Sequence, residues 1–525
     1  MIDDIPGFIL RPVMAAANKW NWFGRKLNKF AINSIVNVSR RRPHPWSTVH
    51  DYTSWTSLTD QHFSARHLPA KRIPNQPDID KLVGLFQRPN DNQILSDKST
   101  CLFPAFAQYL TDGFIRTRMP DTSAGETDDV RRQNTSNHQI DLCPLYGRLP
   151  KQTDVLRLKR EEFGSRGRLK SQLDNKNEEY APFLFDNGQI KPEFVDLDPP
   201  LGLDKILNAV PDPEGVRARI FAFGGDRANA SPQVAMMNTL FLREHNRIAG
   251  KIEQANPDWD DERVFQTARN TTIVVFIKIV VDDYINHISP SFQFRTDPAV
   301  AWKASWNKPN WMTTEFSLLY RWHPLIPNTI IWNGQSYPLM KTVMNNRLLL
   351  DGGLLNAFAD MSSQTAGKLG AFNTSDALLH LEKDAIKQGR LCELASYSDY
   401  REYVSLKRPK DFTDISSNPR VISFLKSAYQ KVDDVDFYVG LFAEDTVKNS
   451  PLPPLLLRLV AVDAFSQALT NPLLSEHVFK PETFSKPGWE AISETKSLRD
   501  ILDRNIPAPD KNARISMTLD NWKYS

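Results

Sequence analysis

Cysteine is scarce in this 525-residue chain, with Cys101, Cys143 and Cys392 its only thiols. Three thiols build neither a disulfide framework nor a zinc site made of cysteines. Glycine is sparse as well, 22 residues against 36 prolines, which speaks for rigid connections rather than glycine-rich phosphate loops. Net charge is almost absent: 65 Lys and Arg stand against 62 Asp and Glu, a formal +3. Such a balance argues against a general polyanion binder, and no nucleic-acid partner is expected. Long apolar runs are missing too. The longest, Ile273 to Val281, is interrupted by Lys278 and falls far short of the roughly 20 residues that span a bilayer. Asp3 and Asp4 occupy the place where a secretory leader carries basic residues. These absences predict a reduced, cytoplasmic protein with neither signal peptide nor transmembrane helix.

What is present begins with a distinctive amino-terminal segment. The first 50 residues hold eight Lys and Arg and two acids, with Phe8, Trp20, Trp22, Phe23, Leu27, Phe30 and Ile32 interleaved. Phe23, Leu27 and Phe30 recur at helical spacing with Lys26 and Lys29 between them, the pattern of a basic amphipathic helix. Two roles suit it: a helix lying in a membrane interface, or an arm packed on its own domain. Pro43 and Pro45 end the segment. The chain therefore divides into an arm over residues 1–42 and one large domain over 43–525.

Within that domain helical periodicity dominates and strand alternation is rare, so the fold class is mainly α. Asp260, Asp261 and Glu262 open one helix, whose apolar positions Val264, Phe265, Ala268, Val275, Phe276 and Ile279 predict a buried element. Ser231-Pro232 starts another, running through Leu240, Leu242, Ile248 and Ile252. The polar stretch from Thr122 to Asn137 predicts an exposed loop.

Three segments carry candidate chemistry. The first is Tyr320-Arg321-Trp322-His323-Pro324-Leu325-Ile326-Pro327. Pro324 prevents a helix from continuing through His323, which predicts His323 in a last helical turn with Tyr320 three residues back on the same face. A histidine beside an oxidisable phenol suits a redox centre. The second runs from Gly224 through Arg227 and Ala230 to Pro232 and on to Leu242-Arg243-Glu244-His245-Asn246-Arg247. The third is Phe103-Pro104-Ala105-Phe106-Ala107-Gln108-Tyr109-Leu110-Thr111-Asp112. There Phe103, Phe106, Leu110 and Phe114 mark the apolar face, and periodicity alone turns Gln108 and Asp112 toward solvent.

Together these segments resemble the animal-type haem peroxidase superfamily, and within it the prostaglandin-endoperoxide synthases (cyclooxygenases) and related fatty-acid dioxygenases. The likeness extends from about His50-Asp51-Tyr52 to Tyr400-Arg401-Glu402-Tyr403. It implies a single large helical haem-peroxidase-like domain, haem b, and fatty acid, dioxygen and peroxide as reactants. A homodimer and contact of the arm with a membrane surface are implied as well. Residue by residue, His323 matches the axial ligand of the haem iron, Tyr320 the tyrosine whose radical takes hydrogen from a fatty acid, and Gln108 a distal-pocket glutamine. Arg227 stands at the position of a distal arginine. Ala230 occupies the position of a haem-esterifying glutamate, so no covalent haem ester is expected there. His245 is structural in the family. For the fatty-acid carboxylate the resemblance points to Arg40, Arg41 or Arg42.

The chain departs from the family where the distal histidine belongs, for that residue is Asp112. The distal base takes a proton from one peroxide oxygen and returns it to the other. An ordinary Asp, with a pKa of about 3.9, accepts protons less readily than His at about 6.5. Weakened or altered peroxidase activity follows, alongside fatty-acid oxygenation through the Tyr320 radical. The alternatives are a haem peroxidase or oxidase of small metabolites and a non-enzymatic haem- or lipid-binding homologue.

Overall fold

The computed structural model describes residues 13–14, 16–17, 19–38 and 46–523. Helices form nearly all of its regular structure, joined by short two-stranded antiparallel ribbons. The mainly α reading therefore holds. Two long helices make the centre. The first, α3 (Pro232–Ala255), starts where Ser231 accepts a hydrogen bond from the Val234 amide and Pro232 fills the first turn. The second, α4 (Asp261–Ile279), is capped by the Asp260 side chain on the Arg263 amide. Its acidic first turn faces the positive end of the helix dipole.

α4 runs on through a π-helical stretch, Val280–Ile285, and a last turn, Asn286–Ile288. This run is long and apolar enough to cross a membrane, but most of it is buried against the rest of the protein. It packs on α3 and on a later helix, α9 (Pro481–Glu494). π-Helical insertions re-aim side chains and recur at functional sites. Here the insertion carries Tyr284 into the interior, stacked at 5.6 Å on Phe103.

The arm is helical over α1 (Asn21–Val36) and lies on α8 (Pro454–Leu469). Its buried stripe is Gly24, Asn28, Ala31, Ile32 and Val36. Phe23 and Leu27 are only half-buried and Phe30 is 65% exposed, so the stripe lies one position round from the predicted one. Small side chains let the helix approach closely, and polar contacts then fix its register. Asn28 exchanges hydrogen bonds with the Arg295 backbone at 2.9 and 3.1 Å. Arg25 pairs with Asp297 at 3.0 Å, and Trp306 donates to Asn33 at 2.8 Å. Between Thr122 and Asn137 the chain forms two short 3-10 turns, largely exposed until Asn134 is buried.

Candidate active site

Helix α2 (Leu102–Asp112) is buried on all sides. Gln108 and Asp112, four residues apart, share one of its faces. That face borders a cavity of about 440 Å³, not solvent. Periodicity misplaces both residues because it cannot distinguish an internal cavity from the outside of the protein. The loop before α3 brings Arg227 and Ala230 to the same cavity. Asn229 ties this loop down: its side chain exchanges two hydrogen bonds with the Phe221 backbone, at 2.9 and 3.0 Å, and accepts a third from Asn346 at 2.8 Å.

Tyr320 and His323 also line this cavity. Helix α5 (Thr314–Leu319), capped by Thr313, stops one residue before Tyr320. His323 then opens a separate 3-10 turn, His323–Leu325. The expected helical ending at His323 is thus corrected. Trp322, at φ −91° and ψ 46°, has left the helical region, and the ring of Pro324 disfavours a helical His323. The turn closes with hydrogen bonds from Leu325 to Trp322 and from Ile326 to His323, both 3.0 Å.

Gly367 presses on this turn: a Cβ there would sit 2.1 Å from the Pro324 carbonyl oxygen. Gly367→Ala is therefore expected to displace the His323 turn at a cost of about 1–3 kcal/mol. Urea unfolding of both proteins, with a haem titration, checks this; unchanged stability and haem affinity would show that the turn yields without penalty.

The Tyr320 ring stacks on Trp322 at 4.8 Å and meets Phe316 at the same distance. Its hydroxyl has Tyr284 as polar neighbour, yet neither hydroxyl closes a hydrogen bond of normal length. Burial raises the pKa of both phenols. Asp112 is 8% exposed and its Oδ2 has no hydrogen-bond partner. Burial pushes its pKa up to about 7; Arg227, Arg116 and Arg321 pull it down, and Asp226 adds to the rise. Asp112 is thus as proton-avid as an ordinary histidine, contrary to the expectation from an unperturbed carboxylate.

Several motif residues are engaged in structural contacts away from the cavity lining. His245 uses both ring nitrogens, with Tyr146 at 2.8 Å and the Gly167 carbonyl at 2.9 Å, and burial depresses its pKa to about 3. Glu244 binds Arg247, Arg504 and Asn505. Tyr400 donates to the buried Glu315, and Tyr403 meets His67 at 3.1 Å.

Sequence reasoning missed three residues. Arg321 lines the cavity and interacts electrostatically with Asp112. Glu382 lies behind His323, its Oε1 3.1 Å from Nδ1. Arg458 lines a second, apolar cavity between α1 and α8 with Ile35, Val38, Ile285 and Phe294. Only Arg321 sits inside a recognised motif; the other two lie in segments with no signal. Arg40, Arg41 and Arg42 fall outside the described residues.

A model of the animal haem peroxidase family matches residues 85–517. The chain belongs to that family. Among curated animal haem peroxidase relatives, it is 28% identical to prostaglandin G/H synthase 1 of Mus musculus over 88% of this chain and 74% of that one. Prostaglandin G/H synthase 2 of Equus caballus is 28% identical over 91% and 76%. Two solved structures share the fold. Fatty acid alpha-dioxygenase of Oryza sativa superposes with a TM-score of 0.66 at 18% identity, covering 85% of this chain and 81% of that chain. Peroxidase A of Dictyostelium discoideum has a TM-score of 0.66 at 19% identity, covering 90% and 100%.

Membership in the animal haem peroxidase family implies haem, iron and oxidoreductase chemistry. The cavity fits that cofactor. Its volume lies within the range of about 300–1,000 Å³ usual for cofactor-sized ligands, and a half-buried imidazole borders it. Among the described residues no group of three or more His, Cys, Asp or Glu could hold a bare metal ion. A single histidine suits an iron that brings its own macrocyclic ligands.

Proposed function

We propose that this protein oxygenates an unsaturated fatty acid through a radical on Tyr320, using haem b held by His323. The carrying observation is that Tyr320, His323, Gln108, Asp112 and Arg227, from three separate segments, border one cavity. The prostaglandin G/H synthase relatives support the substrate class; the rice fatty acid alpha-dioxygenase solved with palmitic acid, a saturated acid, shares the fold and bears on fatty acids only in general. Haem, when bound, supplies the oxidising equivalents drawn from a peroxide.

The protein's own groups do the rest. His323 holds the cofactor. Asp112 in its ionised form takes a proton from the peroxide and returns it to the departing oxygen, and Arg227 stabilises the charge that develops there. Gln108 orients the peroxide by hydrogen bonding. Tyr320 gives up an electron and its phenolic proton, regains a hydrogen atom from an acyl C–H, and leaves a carbon radical to which dioxygen adds. Return of that hydrogen atom to the peroxyl group yields a hydroperoxide and restores the tyrosyl radical. Ala230 has no carboxylate, so the haem carries no ester at this position.

The cavity under α1 is lined by hydrocarbon but measures only about 40 Å³, so it would have to widen to take an acyl chain; a guanidinium there would pair with the carboxylate. Arg458 borders it, and Arg40, Arg41 and Arg42 follow α1 in the chain.

The test is oxygen uptake by haem-reconstituted protein on a panel of unsaturated fatty acids and their methyl esters. Uptake with the acids, weaker with the esters, is expected. Peroxide-driven oxidation of a phenol without oxygen uptake would replace this reading with that of a small-molecule peroxidase. Haem binding with neither activity would leave a binding protein.

The arm is proposed to rest on a membrane surface while docked. Trp22 is 63% exposed and Phe30 65%, and Lys26 lies 5.3 Å over the Trp22 ring. Aromatic and basic side chains on one outer face suit the headgroup region. The double variant Trp22→Ser, Phe30→Ser is expected to lose about 10-fold or more in affinity for anionic vesicles; equal sedimentation with and without the substitutions would rule the surface out.

A further inference from the structure

Glu382 is fully buried in the first turn of α6 (Leu379–Leu391) and has three polar neighbours. Thr374 donates to Oε1 at 2.7 Å, and Tyr438 donates to Oε2 at 2.5 Å. His323 Nδ1 lies 3.1 Å from Oε1. Both oxygens therefore act as acceptors, the pattern of a carboxylate, and the helix dipole favours negative charge in this turn. The Nδ1–H is not aligned for a linear hydrogen bond, and a modest turn of the imidazole would align it. Nothing else described sits within ion-pair distance of His323.

We infer that Glu382 is the proximal carboxylate of this enzyme, accepting the Nδ1 proton of His323 and making the imidazole a stronger electron donor to haem iron. The inference rests on His323 being the axial ligand. Three consequences follow from the geometry. The proton stays on Nδ1, so Nε2 is the nitrogen left for iron. The ring is oriented by a group that is itself held at both oxygens. A ligand with more anionic character would favour the oxidised state of a bound haem and so would support its chemistry with peroxide. That support complements a distal pocket in which a carboxylate replaces histidine. Glu382 is a positioning and tuning residue, since it acts through His323.

The tuning has a sign that can be tested with two variants. Glu382→Gln removes the anionic acceptor. Tyr438→Phe keeps the carboxylate but takes away a competing donor, leaving more of its charge for Nδ1. In haem-reconstituted protein, Glu382→Gln is expected to raise the ferric/ferrous midpoint potential, lower the iron–histidine stretching frequency in the ferrous resonance Raman spectrum, and weaken haem binding by about 10–100-fold. Tyr438→Phe is expected to shift potential and stretch in the opposite directions. A role limited to packing would move both variants alike or neither, and either result would overturn the inference. If Glu382→Gln fails to fold, the sign of the Tyr438→Phe shift still decides the matter. Absence of any iron–histidine band in the unsubstituted protein, together with an unaltered spectrum in His323→Ala, would instead reject His323 as the ligand.

Discussion

Tyr320→Phe is expected to bind haem normally and to lose fatty-acid oxygenation by about three orders of magnitude or more, some 4 kcal/mol of barrier. The hydroxyl is the only group this substitution removes, and phenylalanine has no comparably oxidisable one. Loss of activity through misfolding is not expected, because the Tyr320 hydroxyl makes no hydrogen bond and the stacking on Trp322 and Phe316 survives. Deleting an unpaired buried hydroxyl changes stability little or favourably. Oxygen uptake, the optical spectrum and thermal unfolding of the two proteins separate these effects. Full oxygenation by the Phe variant, with its haem spectrum intact, would remove Tyr320 from the reaction. Peroxide consumption should persist in the variant, since Asp112 and Arg227 are untouched.

The second large effect concerns Asp112. As the proposed proton acceptor it works only when ionised, and its pKa of about 7 sets the range. The rate of the haem spectral change on mixing with hydrogen peroxide should therefore rise with pH through about 7 and level off above it. Asp112→Asn should lower that rate by about 10²–10⁴-fold and abolish the rise; a pH profile unchanged by the substitution would assign the proton transfer elsewhere.

Stability supplies an independent readout. A carboxyl whose pKa is raised on folding favours the folded state fully below its unfolded pKa, 3.8, and loses that advantage as pH rises toward about 7. Over that window the unsubstituted apoprotein should lose roughly 4 kcal/mol relative to Asp112→Asn. Urea unfolding at about pH 4 and pH 8 measures the difference.

Much of the fold could be read from local signals. Ser231-Pro232 and Asp260 start their helices as expected because capping and the helix dipole act within one turn. The family was legible for a related reason. Tyr320, His323 and the residues around them are adjacent in sequence, so the motif survives as a contiguous string. The distal pair Gln108 and Asp112 was legible only through that likeness, since four-residue spacing shows that two side chains share a face but not what the face meets.

By itself, then, the sequence determined the helical class, the starts of the central helices, the family and five of the residues that border the cavity, though not Arg321. Tertiary structure decided what those residues can do. The pKa of Asp112 depends on burial and on Arg227, Asp226, Arg116 and Arg321, which no local pattern assembles. The docked face of α1 depends on α8, more than 400 residues away in the chain. Glu382 reaches His323 because α6 packs against α5, although 59 residues separate the two in sequence. Electrostatic and packing energies fall with distance in space, not along the chain, so these properties exist only once the helices have packed.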